Sequence, residues 1–350
     1  MTVSLESLPF IDLYIRLDGQ DHPMYRSNER GKGLPNRLVP DEYLPIVEQF
    51  GVTIRAEMQD RNDGTLTMES LRVRLSKQQM ADGSLWACAR RINTDLPDLY
   101  KLGFAPHICD HMHSLGEREG LIVISGSAGH GKTTTAAALL VDFLKTHGGT
   151  AFSVEDPVEY VLKGRHGDFG QCFQIEVHDQ EAWAPTLEKA LRWGPRYIFV
   201  GEVRTPRAAE QLIHAATTGH TVITTLHGGM PEEALVSLLF LAEQSMGPGA
   251  REVLAGCFTA LLHQTMKEDG PFVRYLFTEE NAPGDPIRSL IRENKIGMMS
   301  TYIDRISARL ANQPPPSRGA SGGAGHTGGS AGGGLPPLPP LPPLPPIRKT

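Results

Sequence analysis

The sequence predicts an α/β protein in three parts: an α+β domain over residues 1–100, a second domain over 101–312 built on a parallel sheet covered by helices, and a Gly/Pro-rich tail over 313–350. Three observations carry this. Residues 121–124 form a short apolar run, then residues 126–133 read Gly-Ser-Ala-Gly-His-Gly-Lys-Thr, and an Ala/Leu-rich helical pattern follows. From 121 to about 230, short apolar runs alternate with helical patterns, as a sheet covered on both faces requires. The polar residues Glu155, Asp156, Glu202 and His227 fall at or just past the C-terminal ends of those runs, the edge where open α/β sheets bind ligands.

Composition narrows the function classes. A chain of 350 residues has room for two domains with their own cores. Its net charge of −6 supplies no global basic field, so direct nucleic-acid binding is not expected. Cys88, Cys109, Cys172 and Cys257 are scattered without C-x-x-C spacing, as reduced thiols would be. No run approaches the roughly 20 apolar residues that span a bilayer. The first residues, with Glu6, Pro9 and Asp12, show no signal-peptide pattern, and a cytoplasmic location is expected.

In the first domain, Ile11, Leu13, Ile15 and Leu17 alternate with Asp12, Tyr14 and Arg16, which is strand period, and Asp18-Gly19 supplies a turn. A polar loop is expected over 26–37 and a helix near 41–50. Leu71, Val73 and Leu75 then alternate with Arg72 and Arg74, which places two guanidinium groups on one strand face; Arg90 and Arg91 fall on the next run. Arginines so placed suit either a solvated face or bidentate contact with a neighbouring subunit's triphosphate. His107, Cys109, Asp110, His111 and His113 are dense in metal-ligand types. At helical spacing His107/His111 and Cys109/His113 lie on different faces, so helix packing is preferred to zinc.

The second domain opens with the motif G-x-x-x-x-G-K-[ST]. Its glycines let backbone N–H groups turn inward around phosphate oxygens, and the following helix N-terminus adds partial positive charge. Gly126, Ser127, Ala128, Gly129, His130, Gly131, Lys132, Thr133 and Thr134 therefore form the expected cradle for a nucleoside triphosphate, with ATP and Mg²⁺ as cofactors. Lys132 is assigned to the β- and γ-phosphates and the Thr133 hydroxyl to Mg²⁺. Glu202, ending an apolar run, supplies an acidic group near Mg²⁺ and the attacking water. Glu155 and Asp156 are placed to serve the metal (Asp156) or to polarise that water (Glu155), and His227 with Thr224 and Thr225 to report the γ-phosphate. Which carboxylate is the main base stays open.

The remaining elements follow from caps and periodicity. Ala137, Leu140, Val141 and Leu144 form a helix stripe that ends at Gly148-Gly149. Asp179 caps a helix running through Trp193, and Thr205-Pro206 starts one that Gly219 stops. Helices are expected over 232–244 and 250–266, a strand over 273–277, a helix from Asp285-Pro286, and a last helix capped by Ser300 with Ile303, Ile306 and Leu310 on one face. Residues 313–334 have the composition of a flexible linker, and 335–346 repeat Leu-Pro-Pro, which favours polyproline II with its leucines on one edge; a solvated tail is preferred to a docking peptide.

Four motifs in order resemble those of the PilT/DotB-like secretion ATPases, which serve type II/IV secretion, twitching motility and conjugation. Residues 153–160 (Ser-Val-Glu-Asp-Pro-Val-Glu-Tyr) resemble their Asp box, 198–204 (Ile-Phe-Val-Gly-Glu-Val-Arg) their Walker B, 218–227 their His box, and 286–295 a C-terminal helix motif of the PilT branch. The resemblance covers about residues 5–305. It implies a PAS-like N-terminal domain, a RecA-like ATPase domain, a homo-hexameric ring, and recruitment by platform or channel proteins to the cytoplasmic face of an inner membrane. It also implies that Arg72 and Arg74 act at a neighbour's nucleotide, with Arg90 near a further family arginine. Ala128 and His130 in the P-loop, Gly194-Pro195-Arg196, and Thr205 after Arg204 depart from the pilus-retraction pattern and favour a secretion or conjugation relative. A scaffold that binds ATP without hydrolysing it is the alternative function, and a helicase fits poorly with the acidic charge.

Overall fold

The computed structural model describes residues 4–19, 21–27, 36–59, 61–68, 71–92, 96–267, 270–278 and 284–311, the side chains of 306–311 excepted. The tail over 313–350, and with it the Leu-Pro-Pro reading, lies outside the described residues, as do the side chains of Ile306 and Leu310.

The first domain comprises β1 (Phe10–Arg16), β2 (Met24–Ser27), β3 (Asn36–Leu38), α1 (Leu44–Glu57), β4 (Asp63–Met68), β5 (Leu71–Gln79) and β6 (Leu85–Ile92). Its strands form an antiparallel sheet in the order β3-β2-β1-β6-β5-β4. Val47, Phe50 and Ile54 of α1 share one core with Leu13, Ile15, Val73 and Leu75 of the sheet. The alternation read at β5 holds: Leu71, Val73 and Leu75 are buried while Arg74 is exposed. Two expectations are corrected. The ends of the presumed polar loop are strand, with Arg26 paired to Asn36. Asp12, which falls among the polar positions of the β1 alternation, is nonetheless buried, with Arg90 Nε donating to it at 2.7 Å and Arg26 forming a second ion pair with it across β2. A carboxylate leaves water at low cost where guanidinium groups replace its hydration.

The second domain contains α2 (Pro106–Ser114), β7 (Gly120–Gly126), α3 (Lys132–His147), β8 (Gly149–Glu155), β9 (Gly164–His166), β10 (Gly170–Glu176), α4 (Trp183–Leu191), β11 (Tyr197–Glu202), α5 (Pro206–Thr217), β12 (Thr221–His227), α6 (Pro231–Met246), α7 (Ala250–Cys257), β13 (Phe258–Lys267), β14 (Gly270–Phe277), α8 (Pro286–Arg292) and α9 (Met299–Ala311). The sheet order is β14-β13-β7-β12-β11-β8-β10-β9, parallel from β13 to β10 and antiparallel at both outer strands. The inner strands are buried, and the apolar runs at residues 121–124 and 197–200 completely so, as strands covered on both faces must be.

Caps behave as chemistry dictates. Thr205 Oγ1 accepts from Ala208 N at 3.3 Å, and an Asp285 side-chain oxygen accepts from Arg288 N at 2.9 Å. Asp179 caps a single 3₁₀ turn, and α4 closes at Leu191, short of Trp193. The C-terminal part differs from the sequence expectation in two places. The helix expected over 250–266 stops at Cys257, and β13 takes its place, paired with β7 and β14. A fully buried strand carries no alternation, so its apolar run resembles a buried helix. Ser300 does not cap α9; the helix starts at Met299 and the Ser300 hydroxyl donates to Gly297 O.

The His/Cys cluster of α2 divides among separate neighbours. Cys109 is buried in the core, His113 Nδ1 lies 2.7 Å from Asp142 Oδ2, and His111 stacks on Phe277 with ring centroids 5.5 Å apart. Among the described residues, no group of three or more His, Cys, Asp or Glu could hold a metal ion, and no helix is long and apolar enough to cross a membrane.

Gly120 opens β7, the strand that carries the phosphate-binding motif, at φ +109°, and a Cβ there would fall on the Cys257 carbonyl and Thr259 Oγ1. Gly120→Ala therefore combines a disfavoured backbone with a clash against the main chain. It is expected to destabilise the protein by about 2 kcal/mol or more, read as a lowered denaturation midpoint in urea at unchanged slope.

Candidate functional site

Five strand ends meet at one edge of the sheet. The pairing registers set His227 opposite Gly126, Thr225 opposite Glu202 and Glu176 opposite Glu155. The chain leaves β7 through Gly126 (φ +151°), Gly129 (φ +77°) and Gly131 (φ +77°), backbone that a side chain would strain. Helix α3 begins at Lys132, directly after Gly131, and no side chain caps it. Its first N–H groups are thus available to an anion, and the helix dipole favours one. Gln264 of β13 braces this loop: its Nε2 donates to His130 O at 2.7 Å while its Oε1 accepts from Thr135 Oγ1 at 2.7 Å.

Lys132 is 7% exposed. Its Nζ donates to Ser127 O at 3.0 Å and lies 3.4 Å from His227 Nδ1. Burial lowers the pKa of this amine, and the nearby Glu202 and Glu159 charges oppose that. His227 Nε2 lies 3.5 Å from Glu202 Oε1, and Arg204 Nη2 donates to Glu202 Oε2 at 2.8 Å. An irregularity in β11 between Val200 and Glu202 aims the Glu202 carboxylate. Gly201 at that point fits against Glu155, whose Cα would be 3.4 Å from an added Cβ.

Glu155 has the opposite environment. It is 2% exposed, accepts from Ser153 Oγ and from Gln174 Nε2 at 2.8 Å, and burial pushes its pKa up to about 7. Glu155 and Glu202 face one cavity of about 430 Å³, whose walls also include Arg74, Lys132, Asp156 and His227. Glu159 adds a further carboxylate to the lining, with P-loop residues from Ala128 to Thr134 and the strand ends at Gly201 and Thr225 around it.

Most of the expected site residues meet in this cavity. Gly126 underlies it, and Ser127 and His130 contribute through backbone carbonyls, to Lys132 and Gln264 respectively. Thr134 Oγ1 is engaged with Tyr160 OH at 2.9 Å, and Thr133 lines the cavity beside it. Thr224 is fully buried and does not line it, so the phosphate-reporting role expected of it has no structural basis. Within the chain, Arg74 lines this cavity and Arg72 is held at 3.0 Å by Glu176. Arg90 is taken up by Asp12.

The cavity fits a nucleoside triphosphate with Mg²⁺. Uncapped N–H groups and a buried amine answer phosphate, and the Thr133 hydroxyl with the Asp156 carboxylate are among the hard oxygen donors in the lining. Mg²⁺ at such a site takes its remaining ligands from phosphate and water. Gln264, Glu176 and Tyr160 were not found by sequence reasoning. The only signal for Gln264 was one amide in an apolar run that was read as helix.

Comparison with known proteins is consistent with the geometry. Residues 60–268 match the family model described as type II/IV secretion system protein. A twitching motility protein of Neisseria gonorrhoeae is 30% identical over 189 residues, 53% of this chain and 49% of that protein, so the chain spans about half the relative's length. The crystal structure of the pilus retraction motor PilT with bound ADP superposes with a TM-score of 0.66 at 26% identity, over 86% of this chain and 87% of that one. The Legionella pneumophila ATPase DotB shares the fold, with a TM-score of 0.64 at 21% identity over 86% and 85% of the two chains. With more than half of its length matched, the chain belongs to the type II/IV secretion system protein family, on the PilT/DotB-like side that its motifs resemble.

Proposed function

We propose that the protein is a ring-forming ATPase that hydrolyses ATP to power a type IV secretion or conjugation machine, with pilus retraction the other machine of the same kind. One observation carries the reading: the polar chain Lys132–His227–Glu202–Arg204 spans the cavity in front of the P-loop, with the buried Glu155 facing it. The strand order β13-β7-β12-β11-β8 supports a RecA-like core, and the helix-backed antiparallel sheet of residues 1–100 supports a PAS-like domain. The neighbour PilT is a pilus retraction motor with ADP bound, which supports a nucleotide at this cavity. A homo-hexamer recruited by platform or channel proteins to the inner-membrane face remains part of the proposal.

In this reading the P-loop N–H groups and Lys132 hold the β- and γ-phosphates, and Thr133 with Asp156 hold Mg²⁺. The ion, when bound, neutralises charge that builds on the transferring phosphoryl group. Glu202, fixed by Arg204, orients the attacking water. Glu155, which titrates near neutrality, is suited to take its proton. His227 touches both Lys132 and Glu202, so it senses whether a phosphate has drawn the amine forward. Arg74, from the same chain's first domain, adds positive charge at the mouth. A scaffold lacking turnover would have no use for two carboxylates in such different settings.

Lys132→Ala is expected to lower steady-state phosphate release by about 100-fold or more; wild-type turnover would remove the site assignment. Glu202→Gln should bind ATP within about threefold of wild type yet hydrolyse it about 100-fold more slowly. Binding and hydrolysis falling together would make Glu202 structural. The raised pKa of Glu155 also sets a sign for stability: the folded chain holds the proton more tightly than the unfolded one. The nucleotide-free protein should therefore lose stability as pH rises from about 4.5 through about 7. Glu155→Gln should flatten that decline in melting temperature, and an unchanged slope would show that Glu155 is not the group responsible.

A further inference from the structure

The geometry points to Glu176 as a positioning residue that docks the first domain on the second and so places Arg74 at the nucleotide cavity. Glu176 ends β10, one strand beyond Glu155 and in register with it. Its Oε2 accepts from Arg72 Nη2 at 3.0 Å and its Oε1 from Thr65 Oγ1 at 3.0 Å. Thr65 lies on β4 and Arg72 on β5, so one carboxylate grips both strands of a hairpin. Thr65 is the cross-strand partner of Arg74, and Arg72 is two residues from it; all three therefore share a face. That face meets the cavity through Arg74, while Arg72 is absent from the lining.

The grip is well placed to be rigid. The Arg72 and Glu176 side chains are each only 15% exposed, so solvent screens the pair weakly. The same Oε2 lies 3.4 Å from Val158 N, in the segment that follows Asp156. One side chain thus ties the arginine-bearing hairpin to the loop carrying the expected metal-binding carboxylate. His178 Nδ1 stands 3.8 Å from Oε1 and adds a further polar neighbour. A guanidinium that must meet developing charge is effective only when held at the right distance, and β4 is the outermost strand of its sheet, with no further strand to fix it. Glu176 supplies the missing constraint from the other domain.

This inference rests on the proposed hydrolysis, so wild-type phosphate release, and its loss in Lys132→Ala, are measured first. Glu176→Gln removes the charge and keeps the shape. It should lower kcat about tenfold while the Kd for Mg·ADP moves less than about twofold. Arg72→Gln should reproduce this from the other side of the pair. The decisive comparison is Glu176→Gln in an Arg74→Ala background, where the second change should cost nothing further, because Glu176 acts through Arg74. Additive losses, an unchanged kcat, or affinity falling in step with kcat would overturn the assignment. Hydrogen exchange of the nucleotide-free full chain reads docking without turnover: β4 and β5 amides should exchange faster in Glu176→Gln. Unaltered exchange would overturn the assignment even if the wild-type protein hydrolysed nothing, an outcome that would instead remove the proposed function.

Discussion

Lys132 is a cation taken out of water, and the site is arranged around that fact. An ammonium group buried to this extent is tolerated where its lost hydration is replaced, here by the Ser127 carbonyl and the His227 ring. His227 reaches the position only because β12 pairs in parallel with β7, which brings its last residue opposite Gly126. The carboxylate that balances the amine is one residue further removed, at Glu202, with His227 between them. A direct lysine–glutamate pair would be stronger and would leave the amine less available to phosphate. The intervening ring keeps the charge balanced at a distance and leaves the amine's third hydrogen uncommitted.

The same constraint explains why the P-loop needs support from an unexpected strand. Backbone with positive φ at Gly129 and Gly131 is costly to hold by local sequence alone. Gln264 fixes it from β13 by taking both the His130 carbonyl and the Thr135 hydroxyl. The loop is thus braced from the sheet, the kind of support that reduces the ordering cost of binding.

What was legible in the sequence was local. The phosphate loop, the alternation at β5, the caps at Thr205 and Asp285, and the placement of Glu155, Glu202 and His227 at strand ends all follow from short-range chemistry. What was illegible was pairing across distance. Asp12 reads as a solvent-facing residue until β2 and β6 bring arginines to it. β13 reads as helix because burial on both faces removes the alternation that marks a strand. Glu176 and Gln264 are ordinary polar residues until partners more than 100 positions away define them. The arginines show the limit most clearly. Spacing put Arg72 and Arg74 on one face, but which chain's cavity that face meets depends on how two domains pack.

Glu155 and Glu202 settle, on the proposed reading, a division of labour that sequence left open. Both end parallel strands on the same edge, and Gly201 lets their strands approach closely. Yet burial raises the Glu155 pKa to about 7, with only neutral hydrogen-bond donors around it. Glu202 is joined to a guanidinium and open to the cavity. Two titratable groups held in contrasting environments are suited to contrasting tasks. A carboxyl that gains and loses its proton near neutrality can accept one from water. A carboxylate fixed by Arg204 is better suited to holding that water and its charge in place. The cue that separates them is not their position in the motifs, which is equivalent, but the single arginine two residues after Glu202, for which Glu155 has no counterpart in its loop.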